Sequence, residues 1–204
     1  MIRAVVFDIG GVLVQICHEW QLAADTAGVK ITNENPGRLV QYAPIDAYQK
    51  GSLSFAEYTS QLGEFLGCSQ EEAAHVHGCI LRAEYPGLYD FMAELKAKGL
   101  TLACLSNTAA EHWAEMAKPE RFPSFAFLDH KFGSHLEMLN KPDPKIYESA
   151  ARQMGFEPAE ILFFDDHMMN VEGARNCGWE SEFVDSSGDT PSQMRKILQE
   201  RGIL

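Results

Sequence analysis

Arg3-Ala4-Val5-Val6-Phe7-Asp8-Ile9-Gly10-Gly11-Val12-Leu13-Val14 joins a short apolar run to a glycine pair. Ala4 to Phe7 contains two β-branched residues and is bounded at Gly10-Gly11, so it predicts a buried strand that stops abruptly. Asp8 stands where that strand gives out. Ligands of open parallel α/β sheets bind beyond the carboxyl ends of the strands, so a carboxylate there points toward a site. The glycines free the backbone for a tight exit and bring amides close to whatever binds. Taken alone, Asp before Gly-Gly is equally a common turn. The rest of the chain has to decide.

Downstream of Val14 the pattern turns helical until about Glu84. His18 to Ala27, Leu39 to Lys50, Phe55 to Leu66 and Ala73 to Leu81 are the helical segments, and Asn33-Glu34-Asn35-Pro36-Gly37 breaks them. Ser54-x-x-Glu57 and Ser69-x-x-Glu72 have capping-box spacing. No strand is evident here, which predicts a helical insert. Alternation resumes with a helix over Leu88, Phe91, Met92 and Leu95, a strand from Leu100 to Leu105, and a helix from Ala109 to Ala117. A short strand at Phe125 to Leu128 follows. Asp143 and Pro144 have the N-cap and N1 chemistry of a helix running to Met154, and Ile161 to Phe164 reads as a strand ending at Asp165-Asp166-His167. Val171 to Cys177 is helical, Ser181 to Val184 a final strand and Ser192 to Arg201 a closing helix. Strands alternating with helices imply right-handed β-α-β units and a parallel sheet. The expected fold is α/β: a Rossmann-like parallel sheet core with helices on both faces, residues 1–14 and 85–204, and an inserted α-helical cap, residues 15–84.

A chain of 204 residues that is 46% hydrophobic has enough apolar side chains for one core and a smaller subdomain. No apolar run is long enough to span a bilayer, and no leader pattern precedes the first strand. Five scattered cysteines, with no C-x-x-C pair, fit reduced thiols. These features predict a cytoplasmic protein with no membrane partner. A net charge of −12 without a basic run excludes nucleic-acid binding, and it requires a local cation to draw in an anionic substrate.

All strands of a parallel sheet share a direction, so Asp8, Ser106-Asn107, Asp165-Asp166 and Lys141, at a helix entry on the same rim, should meet at one edge. A carboxylate, a hydroxyl, amides, an ammonium and an acidic pair make a phosphate site with a metal. A carboxylate attacks a phosphate dianion only when a divalent cation screens the charge, and Mg2+ favours oxygen ligands. Ser106, amides near Asn107 and Lys141 would hold the non-bridging oxygens.

In order and spacing, four stretches resemble the haloacid dehalogenase superfamily of phosphohydrolases. They are Asp8-Ile9-Gly10-Gly11-Val12, Leu102-Ala103-Cys104-Leu105-Ser106-Asn107, Lys141-Pro142-Asp143-Pro144, and Phe163-Phe164-Asp165-Asp166-His167-x-x-Asn170-x-x-Gly173-Ala174. The resemblance implies that Asp8 is a nucleophile forming an aspartyl-phosphate and that Asp8, Asp166 and the Gly10 carbonyl bind Mg2+. Asp165 would be an auxiliary ligand, and Ser106, Asn107 and Lys141 would bind the phosphate. It also implies a helical cap after the first motif and a small phosphorylated substrate, a sugar phosphate by similarity to α-D-glucose-1-phosphate phosphatases.

One position departs from the pattern. The family's second Asp, which protonates the leaving group, is Gly10 here. General acid–base help is worth roughly 10²–10⁴ in rate, so a substitute is needed, and His18 and His167 are the candidates. Two alternatives stay open: a metal-independent 2-haloacid dehalogenase, which needs no proton on its halide, and a catalytically silent binding protein. The Asp165-Asp166 pair counts against the dehalogenase. His75-x-His77-x-Cys79 is a helix pattern in which His75 and Cys79 share a face but His77 does not, so it predicts no metal site.

Overall fold

The computed structural model describes residues 1–204. In chain order the elements are β1 (Ala4–Phe7), β2 (Val14–Ile16), α1 (Trp20–Ala27), α2 (Pro44–Gln49), α3 (Phe55–Leu66), α4 (Gln70–Gly78), β3 (Leu81–Glu84), α5 (Leu88–Ala97) and β4 (Thr101–Ser106). The second half adds α6 (Ala110–Met116), β5 (His130–Gly133), α7 (Ser134–Glu137), α8 (Pro144–Met154), β6 (Ile161–Asp165), α9 (Met168–Asn176), β7 (Glu180–Phe183) and α10 (Thr190–Glu200).

Five strands form one parallel sheet in the order β5-β4-β1-β6-β7. β1 is central because all four of its residues are apolar and fully buried, which only a strand covered on both faces can satisfy. Side chains alternate between faces. Val5, Phe7, Leu102, Cys104, Leu162 and Phe164 join one apolar cluster with α5 and α10, while Ala4, Val6, Ala103, Leu105, Ile161 and Phe163 join another with α8 and α9. Each large side chain so buried is worth about 1.5–3 kcal/mol. Phe7 pairs in register with Cys104 and with Phe164, so Asp8, Ser106 and Asp165 emerge at nearly one level. Chain direction across the sheet reverses beside β1, where a doubly wound sheet opens its crevice.

The insert has a core of its own, built from Trp20, Tyr42, Tyr48, Tyr58, Leu62 and neighbours. Ser54 and Ser69 cap α3 and α4 with complete capping boxes to Glu57 and Glu72. It is not strandless as expected: β2 and β3 pair antiparallel at its two ends, Val14 with Glu84 and Ile16 with Leu81. Strands of three and four residues are too short to show a period, and each is satisfied only by the other. The Leu39 to Lys50 helix also divides, into a 3-10 turn at Leu39–Gln41 and then α2, because Pro44 starts the second piece.

The strand expected at Phe125 to Leu128 is instead a 3-10 turn over Pro123–Phe127, and the edge strand is β5. Pro123 lacks the donor a strand needs, and β5 opens with His130-Lys131, the polar composition of an edge. No helix is long and apolar enough to cross a membrane.

Candidate active site

β1 delivers Asp8, its backbone N–H held by Phe164 O at 2.8 Å. The exit is a tight turn in which Gly11 N donates to Val14 O at 2.8 Å. Gly11 is required there twice over: its φ is +82°, and a Cβ would run into the Asp166 carboxylate. Gly10 has no such strain. A Cβ there would lie 3.1 Å from Ile16 Cδ1, so an apolar side chain from β2 fills the space beside it.

The four stretches meet as expected. Asp8, Gly10, Ser106, Asn107, Lys141 and Asp166 line one cavity of about 410 Å³ between sheet edge and insert. Asp165 does not reach it. That carboxylate is fully buried and accepts from Lys141 Nζ at 2.6 Å, from His167 N at 2.7 Å and from Asn170 Nδ2 at 3.1 Å. Its arrangement is that of a holder for Lys141 rather than a cavity ligand.

Lys141 is itself buried, and its ammonium also lies 2.9 Å from Asp8 Oδ1. Burial alone would lower its pKa, but the charges of Asp165 and Asp8 outweigh it and hold the ammonium above its ordinary range. Asn107 fixes the lysine's backbone from both sides: Nδ2 donates to Lys141 O at 3.0 Å and Lys141 N donates to Asn107 Oδ1 at 2.8 Å. Its side chain is thereby spent, which leaves the backbone N–H for a ligand.

Three carboxylates face one ammonium. Asp8, Asp165 and Asp166 each offer an oxygen within 4.8 Å of the others'. Burial, then the charges of Asp8 and Asp165, push Asp166 up to about 7. Asp166 Oδ1 is buried without a hydrogen-bond donor, and Asp8 Oδ1 has only the Lys141 ammonium beside it. Unpaired buried carboxylate oxygens are costly, and a hard divalent cation is the partner that suits an all-oxygen donor set. Asp8 and Asp166 therefore fit Mg2+.

His18 and His167 both line the cavity. Burial, followed by the charges of Arg38 and His167, lowers the His18 pKa. His77 and His112 line it too, their rings stacked at 4.1 Å, with Tyr58 OH 3.3 Å from His77 Nδ1. The His75-x-His77-x-Cys79 pattern gathers no metal-ligating cluster; His77 is a packed residue of the wall.

Several functional contacts escaped the sequence reading. Asn170 grips Asp165, a role hinted at only by its place one helical turn past the acidic pair. α2 is fastened to the sheet-edge loops by Gln49 Nε2 donating to Asn107 O at 3.2 Å, Ser134 Oγ to Gln49 O at 2.7 Å and Asn140 Nδ2 to Asp46 Oδ1 at 2.7 Å. Tyr48 OH adds a bond to Glu111. No local pattern encodes such partners.

Comparison with known proteins gives the chain a family. The family profile described as hydrolase, haloacid dehalogenase-like hydrolase, matches residues 2–178. A sesquiterpene phosphatase of Aspergillus oryzae is 26% identical over 96% of both chains. A D-ribitol-5-phosphate phosphatase of Bacteroides thetaiotaomicron is 26% identical over 97% of this chain and 99% of its own. Among solved structures, the magnesium complex of a haloacid dehalogenase family enzyme from Bacteroides thetaiotaomicron superposes with a TM-score of 0.79 at 23% identity, covering 95% of this chain and 98% of that one.

Proposed function

The chain belongs to the haloacid dehalogenase-like hydrolases, and from that premise we propose that it is a Mg2+-dependent phosphatase of a small phosphorylated metabolite. The observation that carries the reading is the gathering of the Asp8 and Asp166 carboxylates, the latter with a buried oxygen that has no donor, on the cavity that Lys141 and Ser106 also line.

Asp8 attacks phosphorus as the bond to the leaving oxygen breaks, the alkoxide takes a proton from solvent water, and an aspartyl-phosphate forms; water then attacks the phosphorus, gives up a proton, and phosphate leaves with Asp8 restored. Bound at Asp8, Asp166 and the Gly10 carbonyl, Mg2+ would screen the negative charge between nucleophile and substrate. Lys141, Ser106 and the Asn107 N–H hold the non-bridging oxygens. Asp165 and Asn170 keep Lys141 aimed. His18, its pKa lowered by burial, is mostly neutral near pH 7 and suited to take a proton from the attacking water. We assign residues 15–84 as a cap domain over a core of 1–14 and 85–204, and the five free cysteines fit the cytoplasm. The two relatives carry names for different substrates, a sesquiterpene phosphatase and a ribitol-phosphate phosphatase, and the family resemblance taken without the cavity implies the sugar phosphate.

The test is release of 4-nitrophenol from 4-nitrophenyl phosphate with and without chelator. Mg2+ should support turnover and excess EDTA should lower it at least a hundredfold, with Mg2+ restoring it. Undiminished release in EDTA would defeat the metal-dependent reading. Gly10 favours one rival, the metal-independent dehalogenase; chloride release from 2-chloropropionate in EDTA would establish it.

A second prediction concerns Gly10 itself. Gly10→Asp combined with Ile16→Ala, which clears the 3.1 Å contact, should raise kcat on an alkyl phosphate by roughly ten- to a hundredfold. A collapse in activity would mean that another group already occupies the role and the space.

A further inference from the structure

We infer that the substrate's organic part is apolar, a phosphate monoester of a hydrocarbon-like alcohol rather than of a sugar; the inference rests on the phosphatase reading of the same cavity. Beyond the phosphate end, the wall is made by Ile16, Leu39, Val40, Ile45, Ile80 and Met169. Where an acid would meet the leaving oxygen, the chain places the Ile16 side chain beside Gly10. The first atoms past the phosphate therefore meet methyl groups.

Two of the insert's polar side chains on the cavity are committed elsewhere: Gln49 Nε2 donates to Asn107 O, and Asp46 is taken by Lys50 at 2.8 Å and by Asn140 at 2.7 Å. On the core side, His112 Nε2 donates to His77 O at 2.9 Å. That leaves His77 Nε2, buried without a partner, and the His18 and Arg38 side chains as the insert's uncommitted polar groups on the cavity. A sugar phosphate would bring several hydroxyls into this wall and leave most unpaired, which binding sites reject strongly.

The mouth repeats the pattern. Val40 is 61% exposed and Met169 68% exposed, one from the insert and one from α9, and both line the cavity. Large apolar side chains kept in water at a cavity mouth gain by covering an apolar tail.

Octyl phosphate, ribitol 5-phosphate and glucose 6-phosphate all leave as primary alkoxides, so comparing their kcat/KM with saturating Mg2+ isolates the organic part. Octyl phosphate should exceed both sugars at least tenfold. Val40→Asp, at an exposed position that tolerates the change, should raise KM for octyl phosphate at least fivefold more than KM for acetyl phosphate. A sugar preference, or an equal shift for octyl phosphate and acetyl phosphate in Val40→Asp, overturns the inference while leaving the phosphatase standing. No phosphate release from any of these esters or from the acyl phosphate would overturn the phosphatase reading and this inference with it.

Discussion

Asp8→Asn should reduce phosphate release by roughly 10⁴-fold or more, the scale on which removing a covalent nucleophile acts, while leaving the fold intact. The amide keeps the carboxylate's shape but is a far poorer nucleophile. Asp8 is the cavity carboxylate delivered by the central strand, whereas its neighbour Asp165 is already engaged by Lys141 and Asn170. The substitution also removes one charge from an acidic cluster that holds a single ammonium. Thermal melting without metal should therefore stay level or rise. Activity within tenfold of the parent would place the nucleophile elsewhere.

Lys141→Met should damage stability as well as turnover. The ammonium lies 2.6 Å from Asp165 Oδ2 and 2.9 Å from Asp8 Oδ1, and Asp165 has no access to water. Removing one partner of a buried pair leaves an uncompensated charge and costs about 3–5 kcal/mol. At about 2–4 °C per kcal/mol for a chain of this size, the melting temperature should fall by roughly 10 °C. Adding Asp165→Leu should recover part of that loss, because the fully buried carboxylate is then no longer stranded, yet activity should stay low since the ammonium that would meet the phosphate is gone. A melt within 2 °C of the parent for the single variant would show that the buried pair contributes little.

Much of this was legible in the sequence because it is local. The capping boxes at Ser54 and Ser69, the Asp143-Pro144 helix start and the apolar strands at Ala4 and Ile161 each carry their signal within a few residues. The convergence of Asp8, Ser106, Lys141 and Asp166 followed from parallel topology alone. What stayed hidden depends on partners distant in sequence. β2 and β3 are strands only because they pair with each other across the insert, and β5 is an edge whose polar residues mask it. Asn107 looked like a phosphate ligand from its motif, whereas its side chain clamps the Lys141 backbone 34 residues away. Asp165 and Asp166, adjacent and chemically identical, part ways, one pairing with Lys141 and the other lining the cavity, because successive residues at a strand end point in different directions.

The β2–β3 ribbon has a consequence for how such chains diversify. Both ends of the insert leave the sheet through one paired stem, Val14 against Glu84, so its entry and exit are neighbours in space. An excursion of any length or composition can be spliced onto such a stem while β1 keeps its register with β4 and β6. The insert can thus be exchanged as a cassette while the sheet and the strand ends it carries stay as they are.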